Sequence, residues 1–521
     1  MGSSNMHAYG KSMANGENVR LLLLTSAYSF VLLFFLSTDS YLYDLYYHGD
    51  SACFFMCGKA WMCGMTPYED FADSKGPLLW LIYGVGYLLS HHSYVGVFWI
   101  SVPFYTVTLF AAYKLCRLFV DKETAAVSTA VLPLFLMCFI YHFEVLSEDF
   151  CHPFEMVSLF CLCRILKDRD CGARTYSILS ALMGVCCVCC MMIKYNIGVM
   201  ITSLMAVVLY AAMRHKAGLQ SLAGMATGMA VTAAPLVICF IIYGNMGSFI
   251  QEYFINTFAS IENRMTDGWF FERPETPALR LFSGVLRLCP LLILLAGVIL
   301  FCKKYHMGYW LVPCYLFFIM CLGQVLYVHY YVTIMPFCVF PVLAATECAI
   351  RRHPLPRRKV VATCLAAAAT SIGVNGCVGL RFMMDDEART NYYTAAYVMA
   401  QIKNPTVMSY PNDSGTGFPA GTLPACRYWV RQTGATEVML EERDSVLRSG
   451  VTDFICINEE EDPREIERCG YVFYCHAPLL GSKPHPESHI RVYGRPGLRL
   501  PPADFHVSQW DIWLKRNMFG I

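Results

Sequence analysis

The chain has 521 residues, of which 56% are hydrophobic and 15% charged, with 40 Lys and Arg against 39 Asp and Glu. Soluble domains carry roughly a quarter charged residues, so this composition excludes an ordinary soluble domain and marks an integral membrane protein. The near-neutral balance gives no sign of a nucleic-acid partner and leaves local charge placement as the signal to follow.

A helix needs roughly 20 apolar residues to cross a bilayer. The first such run, Leu21–Leu36, follows Lys11, Glu17 and Arg20 and lacks a small-residue cleavage site, so it reads as a retained anchor. Further spans are expected at Val95–Leu118, Ala125–Tyr141, Phe154–Leu166, Tyr176–Ile193, Ile197–Met213 and Leu222–Tyr243. Leu281–Phe301, Tyr309–Tyr327, Val332–Ile350 and Val360–Leu380 complete the set.

Pro77–Ser90 is apolar but only about 14 residues long, too short to count as a span by itself. Charge decides its status. If it does not cross, Lys114/Arg117/Lys122, Arg164/Lys167/Arg169/Arg174, Arg214/Lys216, Lys303/Lys304 and Arg351–Lys359 all fall on the cytoplasmic side. If it crosses, every one of those clusters flips outward. It is therefore read as an interfacial or re-entrant helix, giving about 11 spans with the N-terminus inside and the C-terminus outside.

The outer face then collects the polar groups. From Asp50 to Pro77, 28 residues hold four carboxylates (Asp50, Glu69, Asp70, Asp73) and two lysines (Lys59, Lys75). Asp50 heads an apolar stretch, where a carboxylate is stabilised by free N–H groups and the helix dipole, and where a plain N-cap is the bland alternative. The next outer loop carries Glu148, Asp149 and His152, which could bind a divalent metal or hydrogen-bond a sugar. Lys194 and the pair His329-Tyr330 stand at outer ends of later spans. The region Gly244–Arg280 interleaves Phe249, Ile250, Tyr253, Phe254 and Phe258 with polar residues and could lie along the membrane.

Together, acidic loops facing a lysine and a histidine match what transfer from a lipid phosphate requires. A carboxylate deprotonates the acceptor hydroxyl, and cations stabilise the phosphate leaving group.

At these residues the chain resembles the GT-C superfamily of polytopic glycosyltransferases, in the bacterial branch related to protein mannosyltransferases and aminoarabinose transferases. The resemblance rests on Asp50 followed by Pro67-Tyr68-Glu69-Asp70-Phe71-Ala72-Asp73-Ser74-Lys75-Gly76-Pro77, with Glu148, Lys194 and His329-Tyr330 in the same order. It covers roughly residues 20–380. It implies an inverting transfer from a polyprenyl-phosphate sugar to a lipid, glycan or protein acceptor outside the inner membrane.

The resemblance puts Asp50 at the catalytic acid/base position. Glu148, or Asp149 beside it, becomes the second-loop acid, and Lys194 and His329 face the donor phosphate. Glu69, Asp70, Asp73, Lys75 and Tyr330 join them as candidate substrate-binding residues, with Glu69 to Lys75 chiefly shaping the loop. No cofactor is specified, and a divalent metal stays open. A transporter or polymerase of lipid-linked glycans is the competing class, but a transporter tends to place polar groups at the bilayer midplane.

After Arg381 the composition turns polar, so the expected divisions are 1–20 cytoplasmic, 21–380 membrane-embedded and 381–521 extracytoplasmic. Helices at Asn391–Ile402, Ala435–Arg448 and Pro463–Cys469 alternate with strands at Thr406–Tyr410, Asp453–Ile457, Tyr471–Tyr474 and His489–Tyr493. This reads as a small α/β layer. The fold class is thus an α-helical polytopic membrane protein with a small C-terminal α/β extracytoplasmic domain. Of the 26 cysteines most lie in apolar runs and behave as small hydrophobes. Those able to pair are Cys426, Cys456, Cys469 and Cys475 in the tail.

Overall fold

The computed structural model describes residues 2–42, 49–91, 93–138, 145–168, 172–259, 277–322, 328–376, 399, 402–409, 421–430, 435–458, 461–478 and 489–498. The helices in chain order are α1 Gly2–Leu36, α2 Gly49–Met62, α3 Pro77–Leu89, α4 Val95–Arg117, α5 Lys122–Val131 and α6 Pro133–Leu136. They continue as α7 His152–Lys167, α8 Ala173–Ile193, α9 Tyr195–Arg214, α10 Gly218–Tyr243 and α11 Met246–Phe249, the last running into wider π-helical turns at Ile250–Asn256. Next come α12 Pro277–Tyr305, α13 Leu311–Cys321, the 3-10 stretch Val328–Cys338, α14 Val339–Arg352 and α15 Arg357–Asn375.

Among the described residues 7 helices are long and apolar enough to cross a membrane, and each lies on an expected span. The chain is a multi-pass membrane protein. The other expected spans are helical but shorter or interrupted. Ala125–Tyr141 breaks at Pro133, whose missing N–H and bulky ring end α5 and start α6. Residues 139–144, 323–327 and 377–380, at the ends of three expected spans, lie outside the described residues.

Helix α3 has 13 residues, or about 20 Å at 1.5 Å each, well short of a bilayer core. Gly76 in extended conformation and Pro77 at the first helical position fix where it starts. Trp80 and Tyr83 are wholly buried against its neighbours, α2 and α4.

Helices α8 and α10 pack more intimately. Gly224 and Gly228, four residues apart on α10, let backbones meet in the manner of small-residue membrane helix pairs. A Cβ on Gly228 would stand 2.0 Å from the Ala181 carbonyl oxygen, and one on Gly224 2.3 Å from that of Ser177. Ser180 and Ser221 hydroxyls bond across the same seam at 2.7 Å.

The C-terminal region forms one sheet in the order β2-β1-β3-β5-β4, with β1 Thr406–Ser409, β2 Leu423–Pro424, β3 Phe454–Asn458, β4 Val472–Pro478 and β5 His489–Gly494. β1 runs parallel to β2 and β3, whereas β5 is antiparallel to β3 and β4. Helices α16 Glu437–Ser449 and α17 Arg464–Arg468 accompany the sheet, α16 closing at Gly450 with φ +67°. The expected strands and two of the expected helices are present, β4 longer than anticipated and β2 unanticipated. The helix expected at Asn391–Ile402 falls almost entirely outside the described residues. Cys426, Cys469 and Cys475 are free thiols, so none of these three bridges another.

Gly228→Ala should destabilise the protein by about 1–3 kcal/mol, the range for overpacking a tight interface. Gly373→Ala, where a Cβ meets nothing within 4 Å, should be neutral or slightly stabilising. Melting of the two variants in detergent checks the seam, and equal melting temperatures would count against it.

Candidate active site

The first-loop string is a built object. Tyr68 adopts φ 64°, a left-handed conformation that costs a non-glycine residue about 1–2 kcal/mol. Burying its ring completely returns roughly 1.5–3 kcal/mol, so packing holds the turn. The ring packs at a tilt against Trp80 at 4.6 Å and Phe249 at 5.3 Å between centroids, and its hydroxyl donates to the Lys75 carbonyl at 3.3 Å. Asp70 closes the same turn by accepting from the Thr66 N–H at 2.6 Å. Glu69 is exposed and accepts from Ser248. Asp70 and Glu69 therefore shape the loop.

The string ends against the junction of α8 and α9. Gly76 N–H donates to the Ile193 carbonyl at 3.0 Å, and a Cβ at Gly76 would lie 2.1 Å from the Met192 carbonyl oxygen. The residues that follow these partners in each strand of chain, or precede them, are Lys194 and Lys75. Lys194 is the single extended residue between two helices, with φ −151° and ψ 106°. One backbone contact thus draws two lysines to the same place.

Carboxylates surround them. Lys194 forms an ion pair with Glu148, which also accepts from the Ser147 hydroxyl at 2.8 Å. Glu148 is 1% exposed. Burial by itself would raise its pKa, but Lys194 and then His329 outweigh that and hold it down to about 2. The Lys194 ammonium also sits 4.3 Å from the Tyr330 ring, and the Tyr330 and His329 rings meet edge-on at 4.8 Å.

Lys75 differs. Burial would lower its pKa, yet Asp73, Asp50, Tyr330 and Glu148 act on it and raise it above the ordinary lysine value. Its ammonium lies 3.5 Å from the Ser74 hydroxyl and 5.3 Å from the Phe54 ring, and among the described residues it makes no ion pair. The neighbouring Asp73 Oδ2 is buried without a hydrogen-bond partner among the described residues.

Asp50, Asp73, Lys75, Glu148, Lys194, His329 and Tyr330 thus act on one another in one place, drawn from the first loop, the second loop, the α8–α9 junction and the 3-10 stretch. Asp149 turns elsewhere: its carboxylate accepts from Leu146 N–H at 2.8 Å and lies 3.9 Å from His152 Nδ1. It lines a separate pocket with Leu33, Ser101, Phe104, Tyr105 and Met137. His152 Nε2 meets the Val332 carbonyl at 2.9 Å. The set Glu148/Asp149/His152 is therefore not gathered on a single point, and the described residues hold no cluster of three His, Cys, Asp or Glu with metal-binding geometry.

Three participants escaped the sequence reading. Glu155 is buried in α7, and neither carboxylate oxygen has a hydrogen-bond partner among the described residues. An acid inside an apolar run was the signal that could have marked it. Arg427 and Glu252, far apart in sequence, meet at 3.2 Å between the C-terminal region and the π-helical turns. Nothing local in the sequence announces that pair.

The overall architecture matches known structures. The crystal structure of ArnT from Cupriavidus metallidurans in the apo state superposes with a TM-score of 0.59 at 11% identity, covering 92% of this chain and 98% of that one. The same protein bound to undecaprenyl phosphate gives 0.57 at 12% identity over the same shares, 92% and 98%. The archaeal oligosaccharyltransferase AglB from Archaeoglobus fulgidus, in complex with an inhibitory peptide and a dolichol-phosphate, gives 0.45 at 12% identity over 95% and 74%. No family sequence model matches the chain. No curated protein matches it in sequence. The chain shares the polytopic membrane fold of these ArnT crystal structures. More particularly, it is an ArnT-like arrangement of membrane helices with a C-terminal domain.

Two outcomes test the site's geometry. Lys194→Met leaves Glu148 buried without its main partner, a loss worth about 3–5 kcal/mol. In the native protein Glu148 titrates at about 2, below its ordinary 4.5, so its stabilisation is present above pH 4.5 and lost as pH falls toward 2. In the variant, burial dominates and the pKa rises above 4.5, so stability falls as pH rises through the new value. The melting gap between variant and native protein should be wider at pH 7.5 than at pH 4.5, and a pH-independent gap would refute the pairing. Gly76→Ala, by contrast, should cut activity more than about tenfold, because backbone must move to admit the methyl.

Proposed function

We propose that this chain is a membrane glycosyltransferase that moves a sugar from a polyprenyl-phosphate donor to an acceptor hydroxyl on the extracytoplasmic face, with inversion. The observation that carries this reading is the unequal state of the two lysines. Glu148 pairs with Lys194, while Lys75, its charge reinforced by its surroundings, makes no ion pair among the described residues. A half-buried ammonium without an ion pair, beside a buried carboxylate oxygen without a hydrogen bond, suits a ligand that brings both a phosphate and hydroxyls.

In this mechanism Asp50 accepts the proton of the acceptor hydroxyl as that oxygen bonds to the anomeric carbon. The bond from the anomeric carbon to the phosphate oxygen breaks, and its electron pair stays on the phosphate. Lys75 meets the charge that develops there, with Lys194 and His329 behind it. Asp73 accepts a hydrogen bond from a sugar hydroxyl, and Tyr330 packs beside the lysines. Glu148 stays ionised throughout the working pH range and orients Lys194. The ArnT fold, seen with undecaprenyl phosphate in the related crystal structure, supports a polyprenyl carrier. The basic clusters of the sequence support a site outside the inner membrane, with residues 381–521 on the same side.

Asp50→Asn, assayed in membranes with radiolabelled polyprenyl-phosphate sugars, should lose about 10²–10⁴-fold in transfer rate, the usual contribution of a general base. Full transfer by that variant would remove Asp50 from the mechanism. Failure of the native protein to turn over any such donor would remove the transferase reading.

A further inference from the structure

The C-terminal segment 421–430 lies across the outer face and touches three separate elements. Lys59 of α2, only 4% exposed, donates to the Thr422 carbonyl at 2.9 Å. The Ala72 N–H, one residue before Asp73, donates to the Arg427 carbonyl at 2.8 Å. The Arg427 guanidinium donates through Nε to the Glu69 carbonyl at 3.2 Å and through Nη1 to Glu252 Oε1 at 3.2 Å.

Glu252 is a deliberate receiver. It is 6% exposed, and its other contacts are the Tyr428 hydroxyl at 2.8 Å and the Asn256 amide at 2.9 Å. The segment itself is held from behind by the buried Arg443, which donates to the Ser409 carbonyl at 2.8 Å and to the Tyr428 carbonyl. Asn245 in turn donates to the Pro67 carbonyl at 2.7 Å, so the turns after α10 also grip the first loop.

We infer that Arg427 is a positioning residue: through it the C-terminal region clamps the first loop against the turns at Ile250–Asn256 and holds Asp73 and Lys75 in place for the donor. This deepens the transferase reading and rests on it. The contacts fall on Glu69 and Ala72, four and one residues from Asp73, and at no point on the reacting groups. The guanidinium suits the task because its planar fork reaches a carbonyl and a carboxylate together, which a lysine ammonium at the end of a flexible stem does less well.

Arg427→Ala keeps the backbone bond from Ala72 but loses the bonds to the Glu69 carbonyl and Glu252 together with the looser ion pair to Glu442 at 3.9 Å. A loosened loop weakens binding to the lipid phosphate without removing a reacting group. The full chain in nanodiscs, probed with undecaprenyl phosphate alone, should bind about tenfold more weakly in this variant. Arg427→Lys should recover part of the affinity by keeping the Glu252 pair, and Arg427→Ala combined with Glu252→Ala should cost less than the two single losses together. Amide exchange over 66–76 should quicken in Arg427→Ala, while exchange in the α8–α10 seam stays unchanged.

Native affinity in Arg427→Ala, or unchanged exchange over 66–76, overturns the proposal. A loss of bound fraction at unchanged Kd, with no recovery in Arg427→Lys, marks a merely structural role and overturns it as well. If the native chain itself fails to bind undecaprenyl phosphate, the polyprenyl reading falls, and with it the donor role assigned to the clamp. The exchange data then still decide whether the clamp exists.

Discussion

The site depends on one close backbone approach, Gly76 against the end of α8. The absence of a side chain at Gly76 allows its N–H to reach the Ile193 carbonyl, and that contact sets two lysines beside each other. Like charges in a half-buried setting repel, so the arrangement persists only with carboxylates around it. Asp50, Asp73 and Glu148 supply them. The distribution is uneven: Glu148 pairs with Lys194, whereas Asp73 and Asp50 act on Lys75 without forming an ion pair with it among the described residues. A site built this way has one cation committed to structure and one held in reserve.

Much of this was legible in the sequence because it is local or periodic. Apolar runs gave the helices, and the string from Pro67 to Pro77 contains its own turn chemistry: an Asp returning to a backbone N–H, a Tyr filling a pocket, and Gly-Pro opening a helix. Lys194 stood out for the same reason, as an isolated lysine at a helix end that the charge pattern assigned to the outside.

The illegible parts are those fixed by tertiary geometry. Glu148 and Asp149 are adjacent and chemically near-identical; a short turn sends one carboxylate toward Lys194 and folds the other back onto Leu146 N–H. Composition cannot rank them. The break of Ala125–Tyr141 at Pro133 was readable from the proline, but the apolar run around it dominated. Glu252 sat in a segment whose amphipathic pattern suggested a stretch lying along the membrane. Its carboxylate is instead buried against Arg427 and Tyr428, residues some 175 positions away, and no periodicity carries such information.

The two ends of the first loop are constrained by different means, and this bears on how such a site can open. At Gly76 the constraint is steric and backbone-made, so it has little room to vary without moving α8. At Glu69 it is polar and depends on a partly exposed guanidinium, 32% accessible at its side chain, which water can compete for, while Ala72 is tied by a backbone bond to the Arg427 carbonyl. The Glu69 end is therefore the more easily loosened of the two, with Tyr68 as the pivot. The buried aromatic pack of Tyr68, Trp80, Phe249 and Tyr253 ties that pivot to α3 and to the turns after α10.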